Sequence, residues 1–345
     1  MTTVRLTVLA LLVGCNDFTT LEEACLDEVP GQSNITDAED VEIATALNCY
    51  RRLANEPKAR IDPAIQQSVE GHRDYLQLHA PFLNIRTQDP TQEGFTGANG
   101  VDRLNAAGYM MPANSALLEL YTVFYGETAS LFAGRQHIDF WFADPFVRPA
   151  FLQPLLAGSG VATAEYTVEY PEDIGLDPDD VSVAYYNMVY TYASPPIAET
   201  AKAYPRNGQV DAPGSYVHLS ANDALEEGRT YGYPITFTVG SRETGLVVEQ
   251  AIISGPDGSI PFEIIYGDDA GSGVGLFNTA ILVPDSPLTA GGTYTALVQL
   301  ATDQGIRRAR TTFTVGTDIR PVPPILTARR FPRIERNLVV APAAP

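Results

Sequence analysis

Three candidates for acid–base catalysis lie within residues 126–152, GETASLFAGRQHIDFWFADPFVRPAFL. Glu127 and Asp144 are carboxylates, and His137 lies between them in a run with helical spacing. A carboxylate that accepts a proton from water, assisted by a second acid or an imidazole, is typical of enzymes that hydrolyse their substrates. Glu127 is therefore the candidate general base, with Asp144 or His137 assisting.

The remaining nucleophiles and acidic clusters give weaker signals. Thr128, Ser130 and Ser159 carry hydroxyl groups, but no GxSxG nucleophile elbow surrounds them. The stretch 172–180, EDIGLDPDD, has carboxylates that suit calcium but lacks EF-hand spacing, which favours an exposed acidic loop. No glycine-rich phosphate loop follows a predicted strand. We therefore expect no metal and no cofactor.

The chain begins with the features of a bacterial export signal, MTTVRLTVLALLVGC. Arg5 precedes an apolar run at 6–13, which is too short to span a bilayer but suits the core of a signal peptide. The LVGC segment resembles a lipobox, in which Cys15 receives the lipid; the alternative is an ordinary signal peptide with an incidental cysteine. We expect residues 1–14 to be removed and residues 15–35 to form a tether. The protein would then be exported and anchored to the cell envelope, on the periplasmic or cell-surface side.

Charge and cysteine content restrict the partners and the compartment. The chain has 22 Lys and Arg against 42 Asp and Glu, a formal net charge of −20. Nucleic acid is therefore a poor electrostatic partner, and the expected membrane contact is the lipid on Cys15. Cys25 and Cys49 remain, an even number in an oxidising compartment, and they predict a disulfide.

Two domains are expected to position these residues. Helical spacing, followed by the alternating strands ATAEYTVEY and VSVAYYNMVYTYA, predicts an α+β domain over 36–193. Short strands separated by turn signals such as Pro256-Asp257-Gly258 predict an all-β sandwich over 203–316. Residues 317–345 predict an extended or disordered tail. Within the first domain, the helices after the first are predicted at 63–79, 99–108, 115–120 and 135–142.

Several motifs of the first domain resemble the CAP superfamily, also called the SCP or sperm-coating-protein-like domain. The last two motifs are similar to the family's GEN and WxxSPxHR patterns, and the order of all six along the chain carries the resemblance. They are LNCYR at 47–51, GFTG at 94–97, DRL at 102–104, AGY at 107–109, GET at 126–128 and WFADPFVR at 141–148.

The resemblance implies an α-β-α sandwich with a cleft where two histidines and one or two acids converge, and in some members hold zinc. In this chain the cleft positions become Arg86, Glu127, Asp144 and Val147. Glu127 matches the acid of GEN, whereas Arg86 and Val147 replace the histidines. Because arginine is a fixed cation and valine has no lone pair, the resemblance implies no zinc site. It implies instead a charge-assisted pair between Arg86 and Glu127.

The second domain resembles the bacterial Ig-like modules that follow CAP domains in exported proteins. Its matching segments are YPRNGQVDAP at 204–213 and PDSPLTAGGTY at 284–294. Such sandwiches serve as spacers or as binding surfaces, and the fold alone does not decide between them. The predicted function is binding or adhesion at the cell envelope without catalysis, to a lipid, glycan or protein ligand. A hydrolase acting on peptides or cell-wall material, and a lipid- or sterol-binding protein, are the alternatives.

Overall fold

The structure is a computed structural model of the chain. It describes residues 18–25, 28–79, 86–111, 116–126, 134–152, 156–167, 182–192, 201–218, 225–240, 243–267, 278–317 and 333–340. The predicted signal peptide, Cys15, Glu127 and the acidic stretch 172–180 lie outside these ranges.

Six α-helices occur in the described residues, and none of these is long and apolar enough to cross a membrane. Asp62 shows why α3 begins where it does, because its carboxylate accepts from the Ala64 amide and Pro63 occupies the first turn. The predicted helices at 63–79, 99–108 and 135–142 are confirmed. The helices are α1 (Leu21–Ala24), α2 (Ala38–Leu53), α3 (Pro63–Leu78), α4 (Gly100–Ala106), α5 (Arg135–Ala143) and α6 (Arg148–Phe151).

The strands of the described residues pair antiparallel, so the mixed α+β class is confirmed. The sheets have the orders β14-β1-β3-β2, β10-β11-β7-β4, β13-β12-β8-β9 and β5-β6. The strands are β1 (Ala116–Gly126), β2 (Leu156–Thr167), β3 (Ser182–Tyr192), β4 (Lys202–Tyr204), β5 (Ser215–Val217), β6 (Thr230–Gly232), β7 (Ile235–Thr238), β8 (Val247–Gly255), β9 (Gly258–Ser259), β10 (Phe262–Tyr266), β11 (Thr279–Pro284), β12 (Thr293–Thr302), β13 (Gly305–Thr314) and β14 (Arg333–Val340).

Helices α1–α6 and the sheet β14-β1-β3-β2 form what we call the first unit. Its edge strand β2 is tied to α3 by a side chain. The Gln66 amide nitrogen donates to the Val161 carbonyl at 2.7 Å, and the Gln66 carbonyl accepts from the Val161 amide at 2.9 Å. These bonds satisfy backbone groups at the edge of the sheet, where no strand of the described residues pairs with β2 on that side.

The predicted helix at 115–120 is wrong, because residues 116–120 begin β1. Leu117, Leu118, Glu119 and Leu120 are all fully buried, as in a strand covered on both faces. A continuous apolar run has the same pattern in a buried helix and in a buried strand, so periodicity could not distinguish them.

Two segments predicted to be unstructured contribute to the first unit. Part of the predicted tail at 317–345 forms β14, which pairs with β1. Within the predicted tether at 15–35, Leu21 and Ala24 are buried in the core. The tether prediction is therefore wrong from residue 18 onward. The predicted disulfide is confirmed, since Cys25 is bonded to Cys49 of α2.

Residues 201–317 form the second unit, in which two four-stranded sheets share one apolar core. The turn between β8 and β9 follows the predicted Pro-Asp-Gly signal, and Gly258 adopts φ +112°, which a side chain would strain. The predicted short strands of this region are confirmed. Alternate residues of β12 show the two-residue period, with Tyr294, Ala296, Val298 and Leu300 all pointing into the core.

Candidate functional site

Asp144 and Val147, two of the predicted cleft positions, lie in the turn between α5 and α6. The Asp144 carboxylate accepts from the Phe146 amide at 2.8 Å, and the Asp144 carbonyl accepts from the Val147 and Arg148 amides. The Val147 side chain is fully buried in the core of the first unit. Asp144 therefore stabilises the turn, as short acidic side chains commonly do, and Val147 packs the turn against the core.

Phe146, at the centre of this turn, connects the two units. Its fully buried ring lies in an apolar cluster with Tyr216, Ile281 and Val283 of the second unit. Ile281 and Val283 lie on one face of β11, while Leu282 on the opposite face belongs to the sandwich core. The turn between α5 and α6 thus helps to cover an apolar sheet face that would otherwise be exposed to water.

Arg148 is fully buried next to this contact. Its guanidinium carbon lies 5.1 Å from the ring centre of Tyr204 and 4.9 Å from that of Tyr233, and Nη2 donates to the Pro234 carbonyl at 3.2 Å. The Tyr233 hydroxyl donates to the Phe142 carbonyl at 3.2 Å. Burial raises the pKa of Tyr233, so its hydroxyl keeps the proton that it donates. Cation–π contacts and hydrogen bonds therefore hold the units together.

His137, the third predicted acid–base candidate, is fully buried in α5. Its ring meets Trp141, one helical turn later, edge-on with 6.3 Å between the ring centres. Because the side chain has no solvent exposure, a substrate could reach it only if the surrounding core opened.

Arg86 is exposed, and its carbonyl accepts from Arg103 Nη1 at 3.3 Å. Its predicted partner Glu127 lies outside the described residues, so the pair between them stays a prediction. Ser159, another sequence candidate, is buried, and its hydroxyl donates to the Arg60 carbonyl at 3.1 Å.

A buried ion pair that the sequence reasoning missed joins α4 to β1. Arg103 Nη2 lies 2.5 Å from Glu119 Oε1, and the two side chains are 1% and 0% exposed. Gly100 makes room for the carboxylate, since an added Cβ there would lie 2.4 Å from the Glu119 Cδ atom. The available signal was an acid inside the apolar run LLELY, because a carboxylate buried in such a strand requires a partner.

A second buried group of hydrogen bonds in the first unit involves His72 on α3. Its Nδ1 lies 2.9 Å from Gln88 Nε2, and Gln88 Oε1 accepts from the Thr96 amide at 2.7 Å. His72 and Gln88 are 0% and 4% exposed. The network fastens the 86–97 segment to α3.

Asp40 is the buried carboxyl group with the most perturbed acidity among the described residues. Burial raises its pKa to about 7, and the Thr163 hydroxyl, which donates to Oδ1 at 2.7 Å, opposes that rise. The side chain lies in the first turn of α2 against β2 and is 0% exposed. A carboxyl group of this acidity could transfer protons near neutral pH if a reactant reached it.

A small cavity lies between the units beside Glu56. Its volume is about 20 Å³, enough for one water molecule but not for a substrate. The Glu56 carboxylate forms an ion pair with Lys202 of β4. Burial raises the pKa of Glu56, and the Lys202 ammonium opposes that rise. The cavity is therefore part of the contact between the units.

The outer surface of the sheet β13-β12-β8-β9 is the most distinctive exposed feature of the second unit. Leu297 of β12 lies opposite Ile252 on β8 and Arg310 on β13; Gln299 lies opposite Arg308. Ile252 is 58% exposed and Leu297 is 43% exposed. We call these five residues the outer face. The Arg308 guanidinium donates to the Gln299 amide oxygen at 2.8 Å, which holds the cation on this surface.

Comparison with known proteins gave no match: no family model matches the chain, and no curated protein matches it. In the described ranges, no group of three or more His, Cys, Asp and Glu side chains is arranged to hold a metal ion. Of the predicted site positions, Val147 and His137 are fully buried, Asp144 caps a turn, and the carbonyl of exposed Arg86 makes a backbone contact.

Proposed function

We propose that the chain is an exported bacterial lipoprotein, lipidated at Cys15, that binds an acidic polymer of the cell envelope without catalysing a reaction. In this proposal the first unit is a CAP-type domain whose cleft has lost its metal ligands, and the second unit is an Ig-like module that supplies the binding surface. The outer face is the observation that carries the proposal.

The outer face combines exposed apolar side chains with guanidinium groups, so it can attract carboxylates at short range although the net charge of −20 repels a polyanion at longer range. Ile252 and Leu297 are adjacent across the strands, and Arg310 lies on the other side of Leu297. Apolar side chains and arginines are enriched in binding surfaces. The Glu249 carboxylate also reaches this surface, where it accepts from the side-chain amide of Gln299 at 2.6 Å. Because Glu249 is engaged by Gln299, the outward arginines can still bind the carboxylates of a ligand.

The test uses purified peptidoglycan sacculi, which carry many carboxylates. We expect the protein to co-sediment with sacculi, and Arg308→Glu with Arg310→Glu to lower the bound fraction at least tenfold. Arg60→Glu is the matched control for Arg310→Glu alone, because each reverses one charge at an exposed site, and Arg60→Glu on the first unit should leave binding within twofold. Equal binding by all variants would contradict the assignment of the outer face.

The alternative that the sequence suggests is hydrolysis of peptides or cell-wall material, with Glu127 as the general base. The same sacculi distinguish this function. Soluble fragments that appear with the parent protein and disappear with Glu127→Gln would replace the binding proposal by a hydrolase. Under the binding proposal, none of the proteins releases fragments.

A further inference from the structure

The first described residues of the chain are fastened to both units. The Phe18 ring lies under the Arg52 guanidinium of α2, with 4.4 Å to the ring centre, and the Phe18 carbonyl accepts from Arg206 Nη1 at 3.0 Å. The Thr19 carbonyl accepts from the Val210 amide at 2.9 Å. Residue 18 is therefore held at the seam where the first unit meets the second.

Further contacts prevent this segment from swinging away. The Leu21 amide donates to the Asp211 carboxylate at 2.7 Å, and the Leu21 side chain is 3% exposed. The disulfide from Cys25 to Cys49 then links the segment covalently to α2. Hydrogen bonds, apolar burial and a covalent bond thus fix the point where the chain leaves the fold.

The covalent chain limits how far the lipid can lie from that point. Cys15 and Phe18 are three residues apart, and three residues span at most about 11 Å. Given the lipidation in our proposed function, on which this inference rests, the acylated Cys15 lies within about 11 Å of the Phe18 Cα atom. A folded body attached so closely has to present the surface around Phe18 to the bilayer.

That surface has the chemistry to touch lipid headgroups. Phe18 is half-buried, Val210 is 47% exposed, and Arg52 and Arg206 supply cations beside them. We call these four residues the anchor patch. Apolar side chains next to arginines suit the boundary between headgroups and acyl chains. Exposed Glu22 on α1 is close in sequence, so the patch is mixed in charge and depends on the lipid for attachment.

One element of each unit runs from the anchor patch to a distant point of that unit. The Gly208 amide donates to the Thr312 carbonyl at 2.7 Å, which places this end of β13 beside the patch. The opposite end of β13, at Ile306, therefore lies about 20 Å along the strand from Thr312. Likewise α2 runs about 21 Å from Arg52 back to its first residue, Ala38, which follows Thr36 by two residues. We propose that the anchor patch rests on the bilayer surface and that the seam between the units faces the membrane.

The experiment places one fluorescent label at a time on the full-length acylated protein in phosphatidylcholine vesicles that contain headgroup-quencher lipids. The sites are Val210→Cys in the patch, Gln304→Cys at the far end of the second unit, and Thr36→Cys at the far end of the first. All three parent residues are exposed. Because Cys15 is acylated and Cys25 is bonded to Cys49, the introduced thiol reacts alone.

We expect the label at Val210 to be quenched at least threefold more than the labels at Gln304 and Thr36. Equal quenching at the three sites, in protein shown by mass spectrometry to be acylated at Cys15, would overturn the orientation and leave the proposed lipoprotein intact. A chain that lacks the acyl mass would refute both. Unfolding curves of the three labelled proteins check that each one is folded.

Discussion

The ion pair between Arg103 and Glu119 makes a sharp prediction about the stability of the first unit. Its side chains are 1% and 0% exposed and only 2.5 Å apart, so neither charge can be hydrated if its partner is removed. Removing one partner of a buried pair costs about 3–5 kcal/mol, whereas replacing both by apolar residues is often neutral. We therefore expect Arg103→Met and Glu119→Met each to lower the free energy of unfolding by about 3–5 kcal/mol.

The double variant should be far more stable than the sum of the single effects. If Arg103→Met and Glu119→Met together cost about 0–3 kcal/mol, the coupling energy is several kcal/mol. Equilibrium unfolding in urea, followed by circular dichroism with linear extrapolation, measures each free energy. The matched control is Arg73 with Asp74, an ion pair at 2.8 Å with side chains 21% and 60% exposed. Its coupling should stay below about 1 kcal/mol.

Additivity would refute this reasoning. If the double variant at Arg103 and Glu119 loses the sum of the single losses within about 0.5 kcal/mol, the charges do not stabilise one another and α4 is held to β1 by packing alone. Single losses below about 1 kcal/mol would show that water reaches the pair. Both results can be measured without any ligand.

Three further perturbations follow from the same contacts. Phe146→Ala should lower the free energy of unfolding by about 3–5 kcal/mol and separate the calorimetric transitions of the two units. The control Ile252→Ala, at an exposed site, should change that free energy by less than about 0.5 kcal/mol. A single unshifted transition in Phe146→Ala would contradict a stabilising contact between the units. Burial raises the pKa of Asp40 in the folded chain to about 7, above its ordinary value of 3.8, so the folded chain keeps a proton that the unfolded chain releases. The free energy of unfolding therefore falls as pH rises from about 4 to 7. Asp40→Asn should remove that fall in urea unfolding, and an unchanged pH profile would refute it. Replacing Cys25 and Cys49 together by alanine should cost about 3 kcal/mol in the same assay, and a loss below about 1 kcal/mol would contradict a stabilising bond.

Local signals allowed much of the fold to be predicted. Pro63 marks the first turn of α3, Gly108 with φ +81° follows α4, and Gly258 occupies its predicted turn. Each signal acts within a few residues, where steric restrictions on the backbone decide the structure. The pairing of Cys25 with Cys49 was also readable, because the predicted lipidation of Cys15 left these two cysteines for each other.

The candidate site could not be predicted in the same way, because its residues are defined by distant contacts. Asp144, Val147 and Arg148 form a motif that suggested a cleft, yet the partners of this segment come from the second unit, more than 50 residues later in the chain. To predict that Glu119 is buried, one must know that β1 is a central strand of its sheet. That position depends on β14, which pairs with β1 on the side opposite β3. Neither fact leaves a pattern in the neighbouring sequence.

The joint between the units connects the proposed binding surface with the proposed orientation on the membrane. Separating the units would expose Phe146 and remove the Pro234 carbonyl from Arg148, so both side chains favour the assembled form. Domains joined through buried apolar contacts of this kind move little relative to each other. Because the Phe18 carbonyl accepts from Arg206 of the second unit, the proposed lipid anchor at Cys15 would stay close to the body that carries the outer face. A binding surface held at one angle to the membrane can meet a polymer layer lying above the bilayer, which a module on a long flexible tether would meet only in a fraction of its orientations.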